Sequence, residues 1–390
     1  MGQCSEHELI TRNSAPQGGM TTIVFNFKAA SMFKEFKHLK NLLRFAKGGQ
    51  EPIIGPVKAV WEVLYICNAR CRSCTRWQEK PDPEMLSTAE GKSLIKQLAH
   101  AGVLNLSFTG GEPLLRKDIY ELIACAKEHG LSTSLMSNGL LINERRAKEL
   151  IQAGLDLIYI SLDGSTPELN DSLRGISGYF NLASNAIENL KALRSNSRPK
   201  IFVAFTVTKA NMYDLENVAR LVKSRALDGL SFQPALHLPE IMFKVDDDLA
   251  FAPGDGATLQ NIVNRVLKLY GDMLPMNREY YRNFASYIDN PQNLRKHSNV
   301  AGFAFVNIDP WGNVYPDPLE TESMGNLRQQ TFEELWFGRR AREVRHRIAR
   351  WELPIGLFES FIPMNVAIHK MTPFKLYRTL GPIFKMAEHF

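Results

Sequence analysis

Apolar and polar positions alternate in blocks along most of this 390-residue chain. Short apolar runs of strand length recur at 59–66, 103–108, 131–136, 157–162, 201–207 and 230–233. Between them, residues 88–101, 117–129, 143–153, 179–194 and 213–225 carry apolar positions at helical spacing. Ser87 and Glu90 stand at the separation of a capping box before the first of these helices, and Gly102 stops it. Strand–helix alternation predicts parallel βα units with helices laid over the sheet. Six units fall short of a closed eight-stranded barrel, so the predicted fold class is α/β: an open six-unit (βα)6 partial TIM barrel with a small α+β C-terminal extension.

The flanks follow other patterns. No period is sustained through residue 27. From 31 to 47, Met32, Phe36, Leu39, Leu43 and Ala46 share one stripe and Lys34, Lys37, Asn41 and Arg44 lie opposite, which predicts a basic amphipathic helix. Such a helix either packs on the main domain or rests on a membrane. Val245-Asp246-Asp247-Asp248 predicts a solvated loop, and 257–270 a helix. Residues 301–316 predict two strands around a Pro310-Trp311-Gly312-Asn313 turn, and Thr331 with Glu334 opens another helix. Beyond residue 353 aromatic and basic residues mix, broken by Pro363, Pro373 and Pro382. The expected organisation is an arm and basic helix (1–56), a core barrel (57–235), an extension (236–350) and a tail (351–390).

Composition narrows the class. Hydrophobic residues at 44% and charged residues at 23% describe a globular chain. No apolar run approaches the roughly 18 residues of a membrane span, and the first residues lack the pattern of a secretory signal. A cytoplasmic protein is expected. Its charge is uneven: 28–47 and 339–350 each carry six Lys or Arg against one Glu, leaving the remainder net acidic. Basic ends of this kind suit anionic surfaces, so peripheral membrane contact is expected through 28–47 and 354–390. Nucleic acid ranks behind both packing and membrane contact.

Chemistry is concentrated at the carboxyl ends of the strands, where parallel barrels build their sites. The first strand leads into Cys67-Asn68-Ala69-Arg70-Cys71-Arg72-Ser73-Cys74, which holds three of the five cysteines. Three close thiols among polar residues do not form a core stripe. Three protein ligands leave a metal site or an iron–sulfur cube with one open position. A zinc site completed by a distant residue remains the other reading. The second strand leads into Gly110-Gly111-Glu112-Pro113, the third into Ser137-Asn138-Gly139 and the fourth into Ser161-Leu162-Asp163-Gly164.

The x3–x2 cysteine spacing followed by Gly-Gly-Glu-Pro resembles the radical S-adenosylmethionine (radical SAM) superfamily. The resemblance implies one [4Fe–4S] cluster on Cys67, Cys71 and Cys74, with SAM on the open iron. It also implies SAM contacts from Gly110, Gly111, Glu112, Pro113, Ser137, Asn138, Ser161, Asp163 and Arg174, and an external electron donor of flavodoxin or ferredoxin type. Residues 301–336 resemble the SPASM or twitch extension of such enzymes, but Tyr315-Pro316-Asp317 stands where those domains place a cysteine. No Cys follows Cys125, so an auxiliary cluster held by cysteines of the extension is excluded. The implied activity is SAM cleavage to a 5′-deoxyadenosyl radical for C–H activation. The two basic ends point to a lipid-like substrate, with peptide or protein maturation as the alternative. A zinc-stabilised adaptor is the reading from another class. No catalytic acid or base is assignable from sequence.

Overall fold

In the computed structural model the six apolar runs become β1 (Lys58–Glu62), β2 (Asn105–Thr109), β3 (Ser132–Ser137), β4 (Leu157–Ser161), β5 (Lys200–Val207) and β6 (Gly229–Pro234). The structure describes residues 34–235, 245–275 and 278–354 apart from 81, 83 and 253, together with 356 and 365. The predicted arm through residue 27 and nearly all of the predicted tail lie outside the described residues. Each strand pairs in parallel with the next, from β1 on β2 to β5 on β6.

The helices that precede or connect these strands are α1 (34–46), α2 (Thr88–His100), α3 (Ile119–Glu128), α4 (Glu144–Gln152), α5 (Pro167–Arg174), α6 (Tyr179–Leu193) and α7 (Leu215–Ser224). Their apolar faces cover the sheet, as with Leu94, Ile95 and Leu98 of α2 and Ala186, Ile187 and Leu190 of α6. Both halves of the Ser87–Glu90 capping box form. Helix α5 is absent from the periodicity because it is only eight residues long; its signals are the cap Thr166, Pro167 in the first turn and Gly175 in a left-handed conformation at the end.

The sheet stays open, and the chain beyond β6 adds to its other edge. After α8 (Asp255–Tyr270), α9 (Arg278–Tyr281) and α10 (Phe284–Asp289), β7 (Phe305–Ile308) pairs in parallel with β1. Antiparallel β8 (Asn313–Tyr315) and β9 (Gly325–Asn326) follow, giving the order β6-β5-β4-β3-β2-β1-β7-β8-β9. The extension is therefore no appended module at this edge, because its strands continue the core sheet. Asp309 fixes the predicted turn by accepting from the backbone N–H of Trp311 and Asn313. Helices α11 (Phe332–Phe337), opened by a Thr331–Glu334 capping box, and α12 (Arg339–Ala349) close the described chain.

Three expectations about the flanks are refined. In α1 the buried face is His38, Asn41, Leu42 and Phe45, whereas Phe36 is 64% exposed and Ala46 is exposed too. Polar groups of the main domain explain this rotation. His38 Nε2 meets Gly102 O at 2.8 Å, the Ile53 N–H donates to Asn41 Oδ1 at 2.8 Å, and Phe45 packs on Phe303. Next, the Val245–Asp248 loop leaves its three Asp exposed, as expected, but is anchored to the rest of the protein. Val245 is buried, while Asp246 and Asp248 both hold Arg72 of the cysteine loop. Finally, the basic run on α12 is largely matched: Arg340 and Arg347 pair with Glu322, Arg342 with Glu51, and Arg350 with Glu352.

Candidate active site

Backbone pairing, more than side chains, places the three thiols. Past β1 the chain runs beside the loop after β2, where the Gly111 N–H donates to Leu64 O at 2.8 Å and the Glu112 N–H to Ile66 O at 2.9 Å. A Cβ on Gly110 would come within 2.1 Å of Leu64 O, and one on Gly111 within 1.9 Å of Ile66 O. Only glycine permits that approach. On its other side the cysteine loop is joined to the end of α5: Arg70 N–H donates to Arg174 O at 3.3 Å and Arg72 N–H to Leu173 O at 3.0 Å. The segment is thus held by two loops that are distant in sequence.

Polar side chains then reach the sulfurs. Ala69 N–H points at Cys67 Sγ at 3.4 Å and Asn138 Nδ2 lies 3.8 Å from it. Arg174 Nη1 lies 3.7 Å from Cys71 Sγ. Burial pushes the Cys67 thiol up to about 11, and it also raises Cys71 against the opposing pull of Arg174. Loading with a thiolate-bound group therefore expels protons from these sulfurs. A cube takes each thiolate at a separate iron, and three thiols on one short loop, two of them met by N–H groups, are a donor set that would suit such a cluster.

The other residues expected at the site divide by role. Glu112 is fully buried, and its carboxylate accepts from Leu114 N–H, Ser137 Oγ and Asn138 N–H at 3.1, 2.9 and 2.7 Å. Burial raises it to about 7 in spite of these bonds. Glu112 and Ser137 are thus spent on locking the loop after β2 to the loop after β3, and Asn138 Nδ2 carries the lock to Asn68 Oδ1 at 2.7 Å. Buried Pro113 starts a short 3-10 turn behind them. Asp163 accepts from Thr206 N–H at 2.8 Å and faces Arg174 Nε at 2.7 Å. Burial raises Asp163 while Arg174 opposes the shift. These two residues, each expected to face SAM, are joined as a buried ion pair; removing one partner of such a pair costs about 3–5 kcal/mol.

A cavity of about 310 Å³ opens inside the barrel. Cys74, Gly110, Ser161 and Arg174 line one part of it. Alternate residues of several strands also line it, including Lys58, Val60 and Glu62 of β1, Ser107 and Thr109 of β2, and Tyr159 and Ser161 of β4. This period of two is how parallel strands present one side chain set to a barrel interior. Asn307 of β7 joins them.

Beside Asn307 lies a cluster that the sequence reading missed. Glu62 Oε2 accepts from Arg76 Nη2 at 2.8 Å and Glu62 Oε1 from Asn307 Nδ2 at 2.9 Å. Glu320 Oε1 accepts from Tyr65 OH at 2.7 Å and from Asn307 Nδ2 at 3.1 Å. Burial and the neighbouring Glu62 raise Glu320 to about 9. One signal was available: Glu62 is a charge inside the apolar run 59–66, at a position facing the barrel interior. Glu320 carried none.

The chain is similar to known proteins in both sequence and fold. The family model described as Radical SAM superfamily matches residues 61–222. The chain is 29% identical over 316 residues to the Fe-coproporphyrin III synthase of Methanosarcina barkeri, covering 76% of each protein. It is 36% identical over 165 residues to the AdoMet-dependent heme synthase of Oleidesulfovibrio alaskensis, 42% of each. To the mycofactocin maturase MftC of Mycobacterium ulcerans it is 37% identical over 166 residues, 43% of this chain and 44% of that protein. The chain thus spans less than half the length of the last two. Among solved structures, SuiB of Streptococcus suis bound to S-adenosylmethionine superposes with a TM-score of 0.60 at 16% identity, over 77% of this chain and 69% of SuiB.

Proposed function

Because the chain belongs to the radical SAM superfamily and is an enzyme, we propose that Cys67, Cys71 and Cys74 hold one [4Fe–4S] cluster whose fourth iron is left for S-adenosylmethionine. When bound, cluster and SAM supply an electron and a 5′-deoxyadenosyl radical able to take hydrogen from an unreactive C–H bond. Gly110, Ser161 and Arg174 reach SAM from the cavity wall, with Gly111 and Pro113 shaping the loop. Glu112, Ser137, Asn138 and Asp163 position them through the bonds described above. An external reductant is needed, and a flavodoxin- or ferredoxin-type donor fits that role. The observation that carries this reading is the cysteine loop, zipped by backbone bonds to the Gly110–Pro113 loop and opening with it on the barrel cavity. Iron and sulfide analysis of anaerobically purified protein, with chromatographic assay of 5′-deoxyadenosine, tests it. Colourless protein carrying zinc would end it in favour of the adaptor reading.

For the substrate, the reach of the alignments supports a porphyrin-type macrocycle. A 316-residue match cannot be contained in the 57–235 core, so likeness to the Fe-coproporphyrin III synthase runs into the extension. The match to the maturase, at 166 residues, needs only the core, which leaves peptide modification with less support. A lipid-like substrate keeps one observation in its favour: α1 exposes Phe36 together with Lys37, Lys40 and Arg44. Mass spectrometry of metabolites, lipids and peptides from cells with the native chain or Cys71→Ala separates these classes.

A further inference from the structure

Strands β1 and β7 stand side by side with Val60 opposite Asn307. One belongs to the core and the other to the extension, yet both face the same cavity. The Asn307 side chain is fully buried, and its amide has only one reasonable orientation. Nδ2 donates to two carboxylate oxygens, one each from Glu62 and Glu320. A flipped amide would set its oxygen against the Glu62 carboxylate. Oδ1 is therefore fixed as the remaining polar end, and it is buried with no partner among the described residues. Leaving such an acceptor unmet costs about 1–3 kcal/mol, so it calls for a function.

The surrounding charge limits what that acceptor can receive. The Arg76-paired Glu62 carboxylate disfavours an anion at this wall, and Glu320, raised by burial, adds no second charge. Arg76, 2.8 Å from Glu62 and 3.5 Å from Glu320, together with Lys58 in the same cavity, disfavours a cation. Glu320 is itself held at a φ of +55°, in the left-handed region. A residue with a Cβ persists there only when its surroundings impose it. The Tyr65 and Asn307 bonds are those surroundings.

We propose that Asn307, clamped by Glu62 and Glu320, is the substrate-reading acceptor of the barrel and takes a neutral N–H or O–H group, such as a ring N–H, an amide or an alcohol. This rests on the barrel interior being the reaction chamber. It adds that selectivity comes from the junction between core and extension.

Indole and 1-methylindole make a matched pair of probes, nearly equal in shape and differing in one N–H donor. Their binding to the full-length, cluster-loaded chain is measured by ligand-observed NMR under anaerobic conditions. The native chain should prefer indole by roughly 5–10-fold, the worth of one neutral hydrogen bond. Asn307→Leu, similar in volume but without the acceptor, should bind both equally. Glu62→Gln and Glu320→Gln loosen the clamp and should give intermediate ratios, which carries the test if Asn307→Leu does not fold. Equal binding by the native chain, binding of neither probe, or an indole preference untouched in every folded variant would overturn the assignment. SAM cleavage by the same native preparation is scored separately. Its absence would count against the radical reading, not against this site.

Discussion

Arg174 and Cys71 meet through a guanidinium–sulfur contact of 3.7 Å, although 103 positions separate them in the chain. Asp163 holds the same guanidinium from its Nε side at 2.7 Å, and the Tyr179 ring lies 5.6 Å from its centre. A fixed positive charge with N–H groups aimed at a ligand sulfur stabilises the more negative, reduced form of a cluster. Arg174→Gln should therefore lower the midpoint potential, while Arg174→Lys should retain most of it. A tenfold change in the one-electron equilibrium corresponds to about 59 mV. Potentiometry followed by EPR reads this directly, and an unchanged potential in Arg174→Gln would show the contact to be structural only.

Cysteine substitutions should divide cleanly. Each of Cys67→Ala, Cys71→Ala and Cys74→Ala removes a thiolate that a methyl group cannot replace, so each should abolish SAM cleavage. Cys125 lies on α3, buried against the core with its sulfur 3.8 Å from His129 Nδ1. Cys125→Ala should keep cleavage within about twofold and cost on the order of 1 kcal/mol of stability. Iron near four per chain accompanies this partition, and a value near eight would reveal a second cluster.

Glycine geometry gives a test that needs no substrate. Gly111 has no left-handed backbone angle, so Gly111→Ala suffers only from close approach, 1.9 Å to Ile66 O and 2.8 Å to Tyr65 O. The Ile66 carbonyl accepts the Glu112 N–H and cannot move without unzipping the cysteine loop. The variant should lose most of the visible absorbance of a thiolate-bound cluster, near roughly 400 nm, whereas Lys80→Ala on the exposed surface should not. Normal cluster loading in Gly111→Ala would mean that the loops are not coupled as described.

Asp317 predicts a pH effect of defined sign. It is buried, its carboxylate accepts from the Leu319 N–H at 2.9 Å, and burial raises it to about 7. The folded state thus binds a proton that the unfolded state releases near its ordinary value of 3.8. Its contribution is fully present below that ordinary value, and it is lost as pH rises through about 7. Asp317→Asn, which stays neutral, should be more stable than the native chain at pH 8 by a few kcal/mol at most, since each tenfold difference in proton affinity is worth roughly 1.4 kcal/mol. The gap should close toward pH 4. Thermal melts across that range check the sign, and a gap that widens toward acid would refute it.

Membrane contact is tested on α1. Its outer face, Phe36 with Lys37, Lys40 and Arg44, should carry the full-length chain onto anionic liposomes at low salt and release it at high salt. Phe36→Asp should weaken sedimentation severalfold. Full-length protein that ignores such vesicles would leave this face as ordinary solvated surface.

The core was legible because its physics is local. Strand-length apolar runs, the Ser87 and Thr331 capping boxes and the Gly-rich turns each fix a few neighbouring residues, and all of them form. What was not legible depends on partners far away in the chain. Asn41 looked like a solvent position until Ile53 N–H came to meet it. Asp246 and Asp248 stay exposed as a solvated loop would, but their pairing with Arg72, more than 170 residues away, was not visible. The same holds for the cavity wall: Glu62 and Glu320 become one cluster only because β7 docks beside β1. Periodicity carries no register between strands so far apart.

That docking also sets an order of assembly. The strand that feeds Cys67 is interior to the sheet, bonded on one flank to Asn105–Thr109 and on the other to Phe305–Ile308. Until the second flank has been synthesised, the cysteine-bearing strand is an edge with unpaired N–H and C=O groups, open to mispairing. Its closure over so many intervening residues is slow on topological grounds. Cluster insertion into the finished site is consequently a late event for the nascent chain, and whatever delivers iron and sulfide meets a molecule whose last strands are already in place.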